Sequence, residues 1–390
     1  MTGFVESFAT QQLLPPWEAE SVQTWGFAIR MSEHRIAAYL DAYFNGAYPD
    51  RAPFHYTPVP DAHYGLLSAA DFEKVASLNK LTASRLGDAA VAWDHLRHTE
   101  VYLIFPALRY PRSPDNLLTG APTLVWIEPF IFSDNDSVVF SSREIWGSDM
   151  YLGAIAREPG GAPHQLHLDL GMMGTKTFNP RSKSELLSVL HIRTGGDSPD
   201  TAADILKTQP ELRTFVAILG GSAAFADAMP AGVEANPYAG GSELNNLKQF
   251  RDCFDMAAAI YRAIVASETT HSDVDQIVLF DASKVEIDFM WSDSMGDLLR
   301  ALLDADGPNT WGPPPAHRAE AEAGPRPHKA PTFVAPPPAH FPKPPPVTPA
   351  DMDWDMSRVS LRAEFAFSFR SKARFEVTGT IHTYGQASTA

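Results

Sequence analysis

Between residues 133 and 155 the chain reads SDNDSVVFSSREIWGSDMYLGAI, bringing Arg143, Glu144, Asp149, Met150 and Tyr151 close together in sequence. A phenol such as Tyr151 can donate a hydrogen bond to a substrate carbonyl and stabilise an enolate. It can equally fill a cavity. The thioether of Met150 offers neither a proton nor a nucleophilic amine, and reads as apolar lining. Upstream, Glu100 opens the apolar run EVYLIFPALRY (100–110), where burial would raise its carboxyl pKa and suit it to acid or base work. The structural alternative is a surface glutamate at a strand end. Arg143 and Glu144 are sequence neighbours, so on a strand they point to opposite faces. Either they fix the turn before Gly147, or Arg143 clamps a substrate carboxylate.

Two histidine groupings invite a metal reading: His95 and His98 with Asp94 and Glu100, and His164 and His167 with Asp169. Zinc would suit either, and would make the protein a metal-dependent lyase. On a strand, however, His167 and Asp169 share a face that His164 does not. With 13 histidines in the chain, such neighbours also arise by chance. No metal and no cofactor is assigned. The glycine pairs at 160–161, 195–196 and 240–241 lack the strand-loop-helix setting of a phosphate loop. Nothing supports a serine or cysteine triad.

These groups need elements to hold them. Residues 1–16 read as a loose arm, and GFAIRMSEHRIAAYLDAYF (26–44) as a strand passing into a helix with Ser32 as N-cap. The runs 100–110, 123–132, 137–147 and 164–178 are β-rich and separated by Pro, Gly and Asp/Asn turn signals. Leu247, Phe250, Phe254, Ala258, Tyr261 and Val265 recur at helical spacing, which predicts one long amphipathic helix over 244–267. Two strands are expected over 275–291 and a capped helix over 292–305. The proline-rich stretch 308–349 cannot join a sheet interior; it reads as an exposed linker, with a proline-binding module as a possible partner. In 357–385, Phe365, Phe367 and Phe369 alternate with smaller or polar residues, the pattern of strands with one buried face. A strand pair is not stable alone, so these strands are expected to pair back into a main domain spanning 17–307, with 308–350 an excursion from it. The fold class is α+β: a mainly antiparallel sheet or barrel with peripheral helices.

The 390-residue chain is 44% hydrophobic and 20% charged, the composition of a globular protein with a sizeable core. Its formal charge of -16 argues against non-specific binding to nucleic acid or to an anionic membrane. The single cysteine, Cys253, excludes an internal disulfide. Neither a signal peptide nor a membrane helix is evident, so the cytoplasm is the expected location.

Several ordered motifs together resemble the acetoacetate decarboxylase family: HTEVYLIFP with Glu100 and Pro106, IEPFIFSDND with Asp134-Asn135-Asp136, SSREIWG with Arg143, Glu144 and Gly147, and LGMMGTKTF with Lys176. The match is close over about 98–180 and weaker over 25–45 and 244–290. The resemblance implies a β-barrel around an apolar cavity, a homo-oligomer, and Glu100 as an active-site carboxylate. It also implies a lysine pair where this chain carries Met150 and Tyr151. In that family the first lysine forms a Schiff base with the substrate ketone, its amine held unprotonated by its surroundings. The family's upstream carboxylate-binding arginine has no counterpart in EAESVQTWGF (18–27). Two readings of a different kind follow. One is a divergent enzyme acting on a small carbonyl or oxo-acid compound, with Glu100 as acid or base, Tyr151 as polarising donor, and Arg143, Glu144, Asp149, Met150 and Lys176 as further substrate contacts. The other is a non-catalytic binding or scaffold protein that kept the cavity. For Lys176 itself the alternatives are a relocated nucleophile and a structural or surface role.

Overall fold

A computed structural model describes residues 14–45, 53–79, 96–113, 117–158, 165–175, 183–198, 200–220, 236, 238, 240–251, 259–275, 277–290 and 358–384. In chain order the first elements are β1 (Trp17–Arg30), helix α1 (Glu33–Leu40), β2 (Phe54–Pro58), β3 (Tyr64–Ser77), β4 (Leu96–Pro111) and β5 (Thr123–Ser133). Next come α2 (Asp136–Ser141), which runs into a wider π-type turn at Ser142–Trp146, then β6 (Met150–Leu152), β7 (Ala154–Glu158), β8 (His167–Gly174) and β9 (Glu185–Arg193). The rest comprises α3 (Ala202–Thr208), α4 (Arg213–Leu219), β10 (Gly240–Arg251), β11 (Ala259–Ser272), β12 (Val278–Leu279), β13 (Glu286–Met290), β14 (Arg358–Leu361) and β15 (Ala363–Tyr384).

Strands pair in the order β4-β3-β1-β15-β11-β10-β5, and β5 bonds back to β4, which closes a seven-stranded barrel. All these pairings are antiparallel except β10 with β5. A second sheet, β14-β13-β9-β8-β7, lies against the outside. Side chains alternate in and out along each barrel strand. On β4, Val101, Leu103, Phe105 and Ala107 turn outward and are buried against α1 and the second sheet, in a core shared with Phe27, Leu168, Leu190 and Ile287. The other face of β4 carries His98, Glu100, Tyr102 and Ile104 into the lumen. Both faces of the strand are therefore covered. Polar groups on the inner face are the departure that needs a reason.

Two elements differ from the sequence expectation. The segment 244–267 is not a helix: β10 and β11 pair antiparallel, with Glu243 opposite Glu268 and Phe250 opposite Tyr261. Chance helical spacing of the apolar residues prevailed over the β-branched and aromatic content of IYRAIV. Residues 252–258, and with them Cys253, lie outside the described residues. The run 137–147 is not a strand either. Asn135 caps α2, its side chain accepting from the Val138 amide at 3.3 Å, and Gly147 ends the π-type turn in a left-handed conformation (φ 71°). A Cβ at Gly147 would come within 2.6 Å of Lys248 Cβ, so both the dihedral and the close approach call for glycine. The expected helix over 292–305, the proline-rich stretch and the N-terminal arm up to residue 13 lie outside the described residues.

Candidate functional site

The barrel encloses a cavity of about 250 Å³. Neither end is open strand. At one, α4 packs across the barrel, Phe215 meeting Tyr64 and Trp126 with ring centroids 5.6 and 6.3 Å apart, while Ile218 and Leu219 line the cavity. At the other, Trp146 from the π-type turn stacks obliquely on Trp17 at 5.4 Å, beside Phe72 and Phe375. Most of the exposed wall is apolar, and among the polar groups that interrupt it the titratable ones are few.

The first polar group is Glu128, on β5. Between the pairs Leu103–Phe130 and Phe105–Ile127, β4 advances two residues while β5 advances three. The extra residue is a β-bulge at Glu128-Pro129, where proline's missing N–H costs no ladder bond. The bulge reverses the strand's parity: Trp126 and Glu128 face the lumen before it and Ile131 after it, whereas Ile127, then Phe130 and Phe132, face the outer core. Glu128 is buried, accepts a hydrogen bond from Ser148 Oγ at 2.6 Å, and Ser148 in turn accepts one from Asn246 Nδ2 at 3.1 Å. Burial drives its carboxyl pKa up to about 8; the Ser148 bond opposes this, and the negative charges of Glu100 and Asp149 add to it. At neutral pH Glu128 is therefore mainly the uncharged acid.

Glu100 is the second. Its carboxylate lies 3.1 Å from His98 Nε2, and the His98 ring stacks on Phe72 at 4.6 Å. Tyr102, two residues along the same face, also lines the cavity; burial and the neighbouring Glu100 raise its phenol pKa, so the hydroxyl keeps its proton. On the far wall His271 is pushed down to about 4 by burial, and is neutral near pH 7.

The residues expected from sequence divide by strand parity. Ser148 and Met150 point into the lumen, Met150 being 2% exposed among Ile131, Val138 and Val139. Asp149 and Tyr151 alternate to the opposite face, where the Tyr151 hydroxyl donates to Asp149 Oδ2 at 2.7 Å and its ring packs on Phe132 at 5.5 Å. Tyr151 thus does not share the cavity with Glu100. Arg143 is exposed on the π-type turn, and Glu144, half-buried beside it, accepts a hydrogen bond from Lys248 at its backbone carbonyl. Neither lines the lumen, because helical winding, not strand alternation, aims them. Lys176 lies outside the described residues. The histidine groupings separate as well: His98 bonds Glu100, His167 bonds Glu158 at 3.3 Å, and Asp169 bonds His191. Among the described residues no three His, Cys, Asp or Glu side chains converge as a metal set would; His95, Asp94 and His164 are not among them.

Glu128, Ser148, Asn246 and Tyr102 were not singled out from the sequence as site residues. A charge followed by proline inside TLVWIEPFIF was the available signal, since proline within a buried strand marks a bulge.

The sequence matches no family model and no curated protein. Solved structures similar in chain path include the enduracididine biosynthesis enzyme MppR with HEPES buffer bound, at 10% identity and TM-score 0.44, covering 95% of this chain and 91% of that one. Acetoacetate decarboxylase from Legionella pneumophila is similar at 9% and 0.44, covering 95% and 88%. An acetoacetate decarboxylase-like enzyme from Sphingomonas wittichii RW1 is similar at 9% and 0.43, covering 95% of each chain. At these identities and TM-scores, the likeness to acetoacetate decarboxylase-like structures bears no weight on the chemistry of this barrel.

Proposed function

We propose that the barrel is an enzyme that enolises a small carbonyl compound by paired general acid and base catalysis, without a Schiff base. The observation that carries this is Glu128, a carboxylic acid with a pKa near 8 that faces the same lumen as the Glu100–His98 pair. A carboxyl group held protonated by burial, facing a second carboxyl group across one cavity, is the pairing that acid and base roles require.

Glu100 removes a proton from the carbon next to the carbonyl. The electron pair of the broken C–H bond becomes the C=C bond of the enol. The carbonyl π pair takes the proton of Glu128 to become O–H, and Glu128 is left as carboxylate. The Tyr102 hydroxyl, on the same lumen wall, adds a hydrogen bond to the oxygen as charge grows there. Dehydration and aldol-type cyclisation begin from this enol, and retro-aldol cleavage ends in it. Covalent imine chemistry has no support from the wall: its described lining includes no lysine, and Met150 occupies the inward position of its segment.

The test is exchange of α-protons for deuterium in D₂O, followed by NMR over a panel of ketones and aldehydes. Exchange should occur below about pH 8 and fall above it, as Glu128 loses its proton. Treatment with borohydride should leave no adduct by mass spectrometry; a reduced imine on any lysine would overturn the scheme. Tight binding without exchange across the panel would favour the binding-protein reading instead.

A further inference from the structure

The lumen shows an imbalance of charge that bears on what it accepts. Its described lining includes Glu100, Glu128, His98 and His271, and neither a lysine nor an arginine. His271 is neutral at pH 7, and His98 already bonds Glu100, whose charge it would do no more than cancel if protonated. A carboxylate entering this space would find no lysine or arginine among the described lining residues to pair with, and would lose its hydration as well. Burying an unpaired carboxylate costs several kcal/mol, more than apolar contacts of a small ligand readily return.

Two polar groups of the lining present protons. Glu128 is an acid at neutral pH, and the Tyr102 phenol is held protonated by burial. Such a wall suits an acceptor oxygen. A cation, by contrast, would favour the ionised form of Glu128 that burial opposes. On either side of these groups the lining is apolar: Leu66, Ile104 and Leu244 toward α4, and Phe72, Val75 and Phe375 toward Trp17. The cavity holds the volume of roughly eight waters at about 30 Å³ each, so a ligand of about that many non-hydrogen atoms fits.

Resting on the reading that the lumen is the site, we infer that the substrate is an uncharged carbonyl compound with apolar substituents on both sides of the carbonyl, and that the barrel discriminates against oxo acids. The protonated Glu128 and Tyr102 take the oxygen, the absence of a lysine or arginine among the described lining residues disfavours the acid, and the two apolar ends take the substituents.

Trp17, Trp126 and Trp146 all line the lumen, so tryptophan fluorescence reports its occupation. Binding should be compared at pH 7 for a straight-chain dialkyl ketone and for the 3-oxo acid of equal heavy-atom count. The ketone is expected to bind at least about tenfold tighter, a difference of about 1.4 kcal/mol. In Glu100→Gln the preference for the ketone over the oxo acid should narrow. Equal or tighter binding of the oxo acid to the unaltered protein would overturn the inference, and so would binding of neither compound. Because occupation is read without turnover, ketone selectivity with no α-proton exchange would leave the charge rule standing and remove only the catalytic reading.

Discussion

Asn245 and Asn246 are adjacent on β10, both buried, and face opposite sides of the barrel wall. Outward, Asn245 accepts from Tyr56 Oη at 3.0 Å and Arg109 Nη1 at 2.9 Å, and donates to Glu243 at 2.6 Å; Arg109 also pairs with Glu243. That network contains both signs of charge. Inward, Asn246 supports Ser148 and Glu128, where a second glutamate stands nearby and no described lining residue is a lysine or arginine. The outer cluster is what a buried charge looks like when its role is to hold strands together: paired and satisfied. The inner one is held away from charge balance, and only its protonation makes it tolerable. Structure explains the first; the second needs chemistry.

The contrast can be broken from either side. The largest effect is expected from Glu128→Gln, which keeps the shape and the Ser148 bond but has no proton to give. Enolisation should fall by about 10²- to 10⁴-fold, measured as α-proton exchange. Next, Arg109→Met strands Glu243 in the wall and should lower stability by about 3 kcal/mol in urea titration, with exchange per folded molecule little changed.

Glu128→Gln should also change stability, with a sign opposite to its effect on activity. The folded pKa of about 8 lies above the ordinary 4.5. Below about pH 4.5 the group is protonated whether folded or not. Between there and about pH 8 the folded state keeps a proton that the unfolded chain gives up, so the wild type loses stability as pH rises. The Gln variant lacks that slope. Its melting temperature should gain on the wild type from pH 5 to pH 9.

Ser148→Ala sharpens the comparison further. Its hydrogen bond opposes the rise in the Glu128 pKa, so removal should move the alkaline limb of the exchange profile upward, by roughly one pH unit or less. The smallest effect is expected at Tyr151→Phe. With its hydroxyl bonded to Asp149 outside the lumen, exchange should change by no more than about twofold.

Much of the barrel was legible and its interior less so, for one physical reason. Phe365, Phe367 and Phe369 announced a strand because large rings alternate with small residues there, although Ala366 and Ser368 between them are buried too, so both faces are covered rather than one. The strands 240–251 and 259–272 are covered on both sides only near their middles, at Asn245–Asn246 and Ala263–Ser267, and their apolar residues happen to fall at a spacing that mimicked a helix. Asp134-Asn135-Asp136 held a helix cap in plain view, but VVF pulled the reading toward a strand. At the site, Glu100 and Met150 were found and do face the lumen. Tyr151 was placed beside them because adjacent residues read alike in sequence, although β6 sends neighbours to opposite faces. Glu128 escaped because its direction depends on one inserted residue at Pro129, and a bulge has no periodicity to detect.

The long last strand of the barrel has a consequence for when the site exists. β15 bonds both β1 and β11, and the Gln23 side chain reaches the Phe369 carbonyl across 346 residues of chain. Until that strand has been synthesised and docked, the gap between β1 and β11 admits water to Glu128. A solvated Glu128 titrates as an ordinary glutamate. The acid therefore depends on closure of the barrel, and a chain halted before β15 would carry the inner-wall side chains of β3, β4, β5 and β10 yet remain without it.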